Sequence, residues 1–388
     1  MKAGWQRKQI GDLCEVIAGQ SPEGKFYNAE GNGVPFYQGK KDFGEKFLEA
    51  PTTWTTQTTK IAREGDILMS VRAPVGPVNF ATGEACIGRG LAAIRSGAEL
   101  NRDFLFYQLL HLQPEIAGRE GAVFSSINKA EIEALPLAFA SFTEQQRIVG
   151  ILDEAFDGIA TAKANAEQNQ QNARALFESH LQSVFAEACE AGGLVTLADL
   201  ATDITDGDHM PPPKAASGVP FITIGNVDKD TRTIDFADTY KVSREYFDRL
   251  KPNKKPQKGD VLYTVTGSFG IPVLLKEHRE FCFQRHIGLV RPKSDVDSEW
   301  LYYLLLSPQI FKQANGGATG TAQKTVSLKL LRSYQVPRIP LELQRVIVAK
   351  LSAVNEETQR LESLYQRKLV ALAELKKSLL HQAFSGAL

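Results

Sequence analysis

Gly19-Gln-Ser-Pro-Glu-Gly-Lys-Phe has the G-x-x-x-x-G-K spacing of a loop that cradles phosphates, but Phe26 stands where a magnesium-holding Ser or Thr belongs. Pro22 also removes one backbone N–H from the cradle, so no phosphate loop is read here. Met210-Pro-Pro-Pro-Lys lacks the Asn or Asp before the prolines, and the aromatic after them, that an amino-methyltransferase tetrapeptide needs; it reads as a turn. The glycines of Gly31-Asn-Gly follow no strand and open no helix, which excludes a dinucleotide fingerprint. Glu374-Leu-Lys has nuclease-like spacing but lies among the surface charges of a long helix. His209 and His286 have no partner at metal-ligand spacing, and only His286, beside Gln284 and Arg285, is kept as a possible ligand contact. Cys14, Cys86, Cys189 and Cys282 stand singly, as reduced structural thiols do. No catalytic residue and no metal ligand is nominated. The chemistry left is recognition by Arg, Lys, Asn, Gln, Ser and Thr on loops.

The elements that must hold those loops form a duplication. Ile148, Leu152, Ala155, Ile159, Ala162, Ala166, Asn169, Ala173, Leu176 and His180 step alternately by four and three, a heptad seam. Ile347, Leu351, Val354, Thr358, Leu361, Tyr365, Lys368, Leu372, Leu375 and Leu379 repeat it, each 199 residues later. Residues 143–191 carry 3 basic and 8 acidic side chains and residues 342–388 carry 7 and 5, so opposite net charge favours pairing of the two helices. The first helix leaves one globular part and ends at the second, so its partner must run back: the expected coiled coil is antiparallel. Asn169 and Lys368 then serve as polar register-setters on the seam, and Asp153, Glu154 and Asp157 stand off it as candidates for docking a partner.

Between the helices the framework recurs. Val34-Pro-Phe-Tyr-Gln-Gly is answered by Val219-Pro-Phe-Ile-Thr-Ile-Gly, and Gly65-Asp-Ile-Leu-Met-Ser-Val by Gly259-Asp-Val-Leu-Tyr-Thr-Val. Gly88-Arg-Gly-Leu-Ala-Ala-Ile-Arg is answered by Gln284-Arg-His-Ile-Gly-Leu-Val-Arg, and Phe104-Leu-Phe-Tyr-Gln-Leu-Leu by Trp300-Leu-Tyr-Tyr-Leu-Leu-Leu. The short β-type runs are followed by an expected helix over 102–113, while the polar run Thr52 to Thr59 reads as an exposed strand or loop. The polar loops agree less well than the strands, as two related but differently specific sites would require. The division expected is 1–142, 143–191, 192–341 and 342–388: globular part, helix, globular part, helix. The fold class is α+β, with two repeated α/β domains separated and joined by two long antiparallel helices in internal pseudo-twofold symmetry.

With 388 residues, 43% of them apolar and 23% charged, and no apolar run of membrane-span length or signal-peptide core, the chain reads as a cytoplasmic globular protein. Its net charge is zero, so bulk charge neither indicates nor excludes nucleic acid.

Each globular part closes with a Gly-rich polar loop and a proline-marked entry into the helix. The first runs from Gly121-Ala-Val-Phe-Ser-Ser-Ile-Asn-Lys to Leu135-Pro-Leu and Thr143-Glu-Gln-Gln-Arg-Ile-Val. The second runs from Gly317-Ala-Thr-Gly-Thr-Ala-Gln-Lys to Val336-Pro-Arg-Ile-Pro-Leu-Glu-Leu-Gln-Arg-Val-Ile-Val. On these junctions the whole chain resembles the specificity subunit of type I restriction-modification systems, which alternates target-recognition domain and helix. Two departures are Phe139-Ala-Ser, where a second proline is usual, and Leu343 in the place matching Gln145. The resemblance implies a non-catalytic subunit that reads the two halves of a split double-stranded DNA site. Its implied partners are methyltransferase subunits that methylate adenine N6 and motor-nuclease subunits. It implies no cofactor of its own, with S-adenosylmethionine, ATP and Mg2+ held by those partners.

Under that reading, Arg or Lys reaches guanine and Asn or Gln reaches adenine in the major groove. The candidates in the first part are Gln20, Tyr37, Gln38, Lys40, Lys41, Arg72, Arg89, Ser125, Ser126, Asn128 and Lys129. In the second they are Thr223, Asn226, Thr266, Ser268, Arg285, His286, Thr319, Thr321, Gln323 and Lys324. Two other functions stay open on sequence: a stand-alone DNA-modifying enzyme, and a coiled-coil adaptor without a nucleic-acid ligand.

Overall fold

The computed structural model describes residues 4–117, 126–210, 212–320 and 323–388. They form two compact units, Met1–Glu167 with Arg367–Leu388, and Gln168–Gln366, so each unit takes part of each long helix.

In the first unit an antiparallel sheet orders Cys14–Ala18, Leu91–Ser96, Ile67–Ser70 and Val78–Phe80. Its strands alternate between two cores with period two. Ile67, Met69, Ala92 and Ile94 face the helix Arg102–Ala117, while Leu68, Leu91 and Ala93 face Tyr37, Ala62 and Ile87 of a second, mixed sheet. That second sheet orders Tyr27–Asn28, Trp54–Thr55, Val34–Tyr37, Ala85–Ile87 and Ile61–Ala62. Here the expectation of an exposed polar run fails in part. Trp54–Thr55 is an interior strand, and buried Thr55 donates its hydroxyl to the Gln57 carbonyl at 2.9 Å, so its polar atom is satisfied.

The second unit repeats the layers. Ala201–Asp206, Ile287–Pro292, Val261–Thr264 and Pro272–Leu274 form its antiparallel sheet, and Val219–Ile222 lies between Tyr240–Val242 and Cys282–Phe283. Val261, Tyr263 and Val290 face the helix Ser298–Leu306, and Leu262, Ile287 and Leu289 face the smaller sheet. Each unit also has a two-stranded ribbon that ties its start to its end, Gln6–Gln9 on Pro136–Phe139 and Leu194–Thr196 on Gln335–Pro337.

Two devices recur where helix, sheet and loop meet. Arg95 grips Asp66 with two guanidinium nitrogens at 2.9 and 2.8 Å, as Arg291 grips Asp260 at 2.9 and 2.7 Å. Buried Gln145 accepts from Asn101 N at 2.7 Å and donates to the carbonyls of Glu99 and Ala140. Gln344 does the same with Asp297 N at 2.7 Å and the carbonyls of Asp295 and Ile339. The residue matching Gln145 is therefore Gln344 and not Leu343, which is exposed; the sequence comparison across the junction was one residue out of phase.

The long helices are Phe142–Gly192 and Leu341–Ser385, of 51 and 45 residues. Within each unit their segments run antiparallel. In the first, Lys376 Nζ lies 4.9 Å from the Phe156 ring centroid and Arg147 donates to the Leu388 carbonyl at 3.1 Å. In the second, Arg174 donates to Glu362 at 2.8 Å. The heptad seam holds only in part. After Ala166 the buried residues are Ala173, Phe177, Leu181, Phe185 and Ala188, whereas Asn169 and Leu176 are exposed. On the return helix Leu369 and Lys376 take the half-buried places expected of Lys368 and Leu375. Neither Asn169 nor Lys368 is a register-setter. A straight helix turns every 3.6 residues, so a strict 3.5-residue ladder drifts off the contact face unless a four-residue step corrects it.

Asp153 is likewise no free docking carboxylate. It accepts the Tyr107 hydroxyl and lies 3.2 Å from Lys46 Nζ, which also meets Asp103 at 3.2 Å. Burial and that carboxylate hold the Tyr107 phenol well above its ordinary pKa. Glu154 and Asp157 are exposed.

Candidate functional site

In the first unit the candidates gather on one glycine turn, Gly88 to Gly90, between the strands Ala85–Ile87 and Leu91–Ser96. Gly88 N donates to the Tyr37 carbonyl at 2.8 Å, and a Cβ on Gly90 would stand 2.3 Å from the Gln38 carbonyl oxygen, so the chain ending Val34–Tyr37 can close on the turn only over glycine. Gln20 N reaches the Ile87 carbonyl at 2.9 Å, and Val71 N reaches the Gly90 carbonyl at 3.0 Å. Arg72 bridges Ser126. These backbone bonds bring the exposed side chains of Gln20, Gln38, Arg72, Arg89 and Ser126 together. Lys40 and Lys41 project from the next turn, Lys40–Asp42, with Lys41 Nζ 3.8 Å from Asp42. Burial raises the Asp42 carboxyl above its ordinary pKa, with Lys41 opposing.

Three of the first unit's candidates have other roles in the structure, and a fourth lies outside it. Tyr37 is 3% exposed and donates its hydroxyl to the Glu49 carbonyl at 3.0 Å, so it leaves the set as a core residue. Its aromatic ring packs better in the core than its hydroxyl alone suggested. Asn128 caps the helix Lys129–Glu133, accepting from Glu131 N at 3.0 Å, and Lys129 pairs with Glu133 at 3.5 Å. Ser125 lies outside the described residues.

The second unit builds the same turn from Gln284-Arg-His. Gln284 N donates to the Ile222 carbonyl at 2.9 Å, Arg285 N to the Asp208 carbonyl at 3.0 Å, and Val265 N to the His286 carbonyl at 2.9 Å. Gly267 N reaches the Lys324 carbonyl at 3.1 Å, and Thr325 bridges both Thr266 and Thr319. Exposed Arg285, Ser268, Thr319, Gln323 and Lys324 are thereby linked through adjoining loops, with half-buried His286 among them. Arg285 Nε lies 3.4 Å from His286 Nε2, and burial, then that guanidinium, lowers the imidazole pKa, which leaves the ring neutral near pH 7. Lys324 Nζ is held by Asn315 at 3.1 Å. Thr266 is 7% exposed and leaves the set. Thr223 and Asn226 satisfy one another in a capping box, with Asn226 also donating to the Asp238 carbonyl at 2.9 Å. Thr321 lies outside the described residues.

Sequence reasoning passed over His209, whose Nε2 lies 2.9 Å from Asp206 on the segment that bonds the Gln284 turn. Its only sequence signal was position, and in the structure it lies three residues past the end of the strand Ala201–Asp206. Among the described residues no three His, Cys, Asp or Glu side chains gather as a metal site. The arrangement presents donors and acceptors of hydrogen bonds with aliphatic stems between them, the means by which base edges and phosphates are recognised.

The model of the type I restriction modification DNA specificity domain matches twice, over residues 2–170 and 194–368. The "Putative type I restriction enzyme MjaX specificity subunit" of Methanocaldococcus jannaschii is 40% identical over 168 residues, 42% of this chain and 39% of that protein. The type I restriction enzyme MjaVIII specificity subunit of the same organism is 20% identical over 409 residues, 98% of this chain and 92% of that one. The type I restriction enzyme EcoBI specificity subunit of Escherichia coli is 26% identical over 156 residues, 40% of this chain and 33% of its own length. The matches to MjaX and EcoBI thus span well under half of those relatives.

Two solved structures share the fold. A chain of "Structural basis underlying complex assembly and conformational transition of the type I R-M system" superposes with TM-score 0.80 at 19% identity, covering 99% of this chain and 98% of that one. The HsdS subunit from Thermoanaerobacter tengcongensis gives TM-score 0.59 at 18% identity, covering 100% and 98%.

Proposed function

The chain belongs to the type I restriction-modification DNA specificity family, and from that premise we propose that each of its units reads one half of a bipartite double-stranded DNA site. The reading is carried by one observation: both units build the same backbone-bonded turn, Gly88 to Gly90 and Gln284 to His286, and dress it with different exposed polar side chains. A common scaffold with unlike surfaces gives two sites of unlike specificity.

The two long helices set the spacing of the half-sites and dock methyltransferase and motor-nuclease subunits. The chain itself carries out no catalysis; adenine-N6 methylation and ATP-dependent cleavage belong to partners that hold S-adenosylmethionine, ATP and Mg2+. The complex works on DNA in the cytoplasm. No helix among the described residues is long and apolar enough to cross a membrane.

Exchange of residues 1–142 for the same part of a related chain tests independent reading. Methylome sequencing of cells carrying the exchanged complex is expected to find one half of the modified site changed and the other kept. Both halves changing together would overturn it.

A further inference from the structure

The two units differ in charge on one strap beside the recognition turn. In the second unit Lys251-Pro-Asn-Lys-Lys-Pro-Gln-Lys258 contains four lysines and no acid, net +4. Its counterpart is fixed by geometry: Gln257 N donates to Asp260 Oδ2 at 2.8 Å as Arg63 N does to Asp66 Oδ2 at 2.8 Å. The first unit's strap is therefore Gln57-Thr-Thr-Lys-Ile-Ala-Arg-Glu64, with two basic residues and one acid, net +1.

Both straps touch the same segment of the turn. In the first unit the Thr59 hydroxyl donates to the Gln20 carbonyl; in the second the Lys254 ammonium donates to the Gly207 carbonyl at 3.2 Å. Gly207 precedes Asp208, whose carbonyl holds Arg285 N, so the lysine strap adjoins the recognition turn. The strap is also built to stay in place. Arg291, while gripping Asp260, donates to the Lys255 carbonyl at 2.9 Å, Pro256 is buried, and Pro252 opens a tight turn through Lys254. Lys255 Nζ is held by the Asp248 carbonyl at 3.1 Å. Lys251 and Lys258 project into solvent from this fixed backbone. Lysines carried on a fixed backbone next to a base-reading surface are placed to meet the charges that flank the bases, the backbone phosphates.

We propose that residues 251–258 form a phosphate-binding strap that gives the second unit most of the salt-dependent, sequence-independent affinity for duplex DNA, while the first unit's near-neutral strap contributes little. The proposal rests on the reading of this chain as a DNA-recognition subunit. It implies that the second unit engages DNA first and the first unit tests its half-site afterwards.

The test is the salt dependence of binding of the full chain to a random-sequence duplex of about 30 base pairs, long enough for several phosphate contacts. Each phosphate contact adds about 0.9 to the slope of log affinity against log salt, so Lys251→Gln with Lys258→Gln is expected to flatten it by about 1.8. Between about 50 and about 200 mM salt the double variant should lose roughly 12-fold less affinity than the parent chain. The reciprocal variant, Gln57→Lys with Glu64→Lys, alters two exposed positions of the first strap and is expected to steepen the slope by a similar amount, about 1.8. An unchanged slope in the lysine variant, with the parent binding normally, would overturn the strap and leave the DNA-recognition reading standing. A parent chain that binds no duplex at low salt would overturn both.

Discussion

At the scale of single residues, the side chains that decide the fold are polar ones with several backbone partners. Gln344 replaces three hydrogen bonds that water would otherwise make, to Asp297 N, Asp295 O and Ile339 O, at the place where a long helix leaves its recognition unit. Gln344→Leu keeps the volume but strands those groups, and each buried unsatisfied group costs roughly 1 to 3 kcal/mol. The expected loss is about 3 kcal/mol for the second unit, read as a lower urea midpoint by tryptophan fluorescence, since buried Trp300 reports that unit. Leu343→Ala, one residue away on the exposed side, should stay within ~0.5 kcal/mol. Equal losses at the two positions would show that Gln344 is not the latch. This role was present in the sequence only as a glutamine in both helix entries, and a glutamine at a helix start is ambiguous until its partners are seen. The Arg95–Asp66 and Arg291–Asp260 grips were more legible: each Gly-Asp and each strand-ending Arg recurs in the matched halves, yet charge alone did not say that they meet.

At the scale of elements, the framework strands were legible as short β-type runs that recur in both halves, and in the structure their alternate residues feed a core on each face of the sheet. The polar run around Thr55 misled because a buried hydroxyl can be satisfied by its own neighbouring backbone, which composition does not reveal. The helix seam failed for a different reason. A strict four-three ladder carried past Ala166 selects Leu176, whereas Phe177, Leu181 and Phe185 stand at four-residue steps with larger apolar area. The structure buries these three and leaves Leu176 63% exposed. Phe185→Ala should therefore cost about 3 to 5 kcal/mol through the cavity it opens against Trp300, whereas Leu176→Ala should cost under ~0.5 kcal/mol. Thermal unfolding of both variants separates the two registers, since the unbroken heptad expects the larger loss at Leu176. The cluster of Asp153, Glu154 and Asp157 divides in the same way. Asp153 anchors Lys46 and Tyr107, so only Glu154 and Asp157 remain available to a partner.

At the scale of the whole molecule, the duplication was the most legible property, because a 199-residue offset between two helices and matching strands between them leaves few alternative architectures. The recognition surface was less so. Tyr37 and Thr266 have the residue types of readers and are buried, while the segment of His209 is placed by backbone bonds of Asp208 with Phe283 and Arg285, and the lysine strap by the Lys254 and Arg291 side chains bonded to the Gly207 and Lys255 carbonyls. The remaining whole-molecule question is whether the helices measure the DNA. They run unbroken for 51 and 45 residues, and within the second unit Arg174 of the first helix donates to Glu362 of the second. An insertion in one helix alone would shear that pairing, so the informative variant adds four residues to each helix. Four residues lengthen a helix by about 6 Å, close to two base pairs of B-DNA, and add one more four-residue step of the kind the seam already contains. The expected methylome has both half-sites unchanged and a spacer longer by about two base pairs, the only combination in which the reading turns keep their chemistry while their separation grows. If the doubly inserted complex still methylates the parental spacing, the helices do not set that distance and their role reduces to holding the units and their partners together.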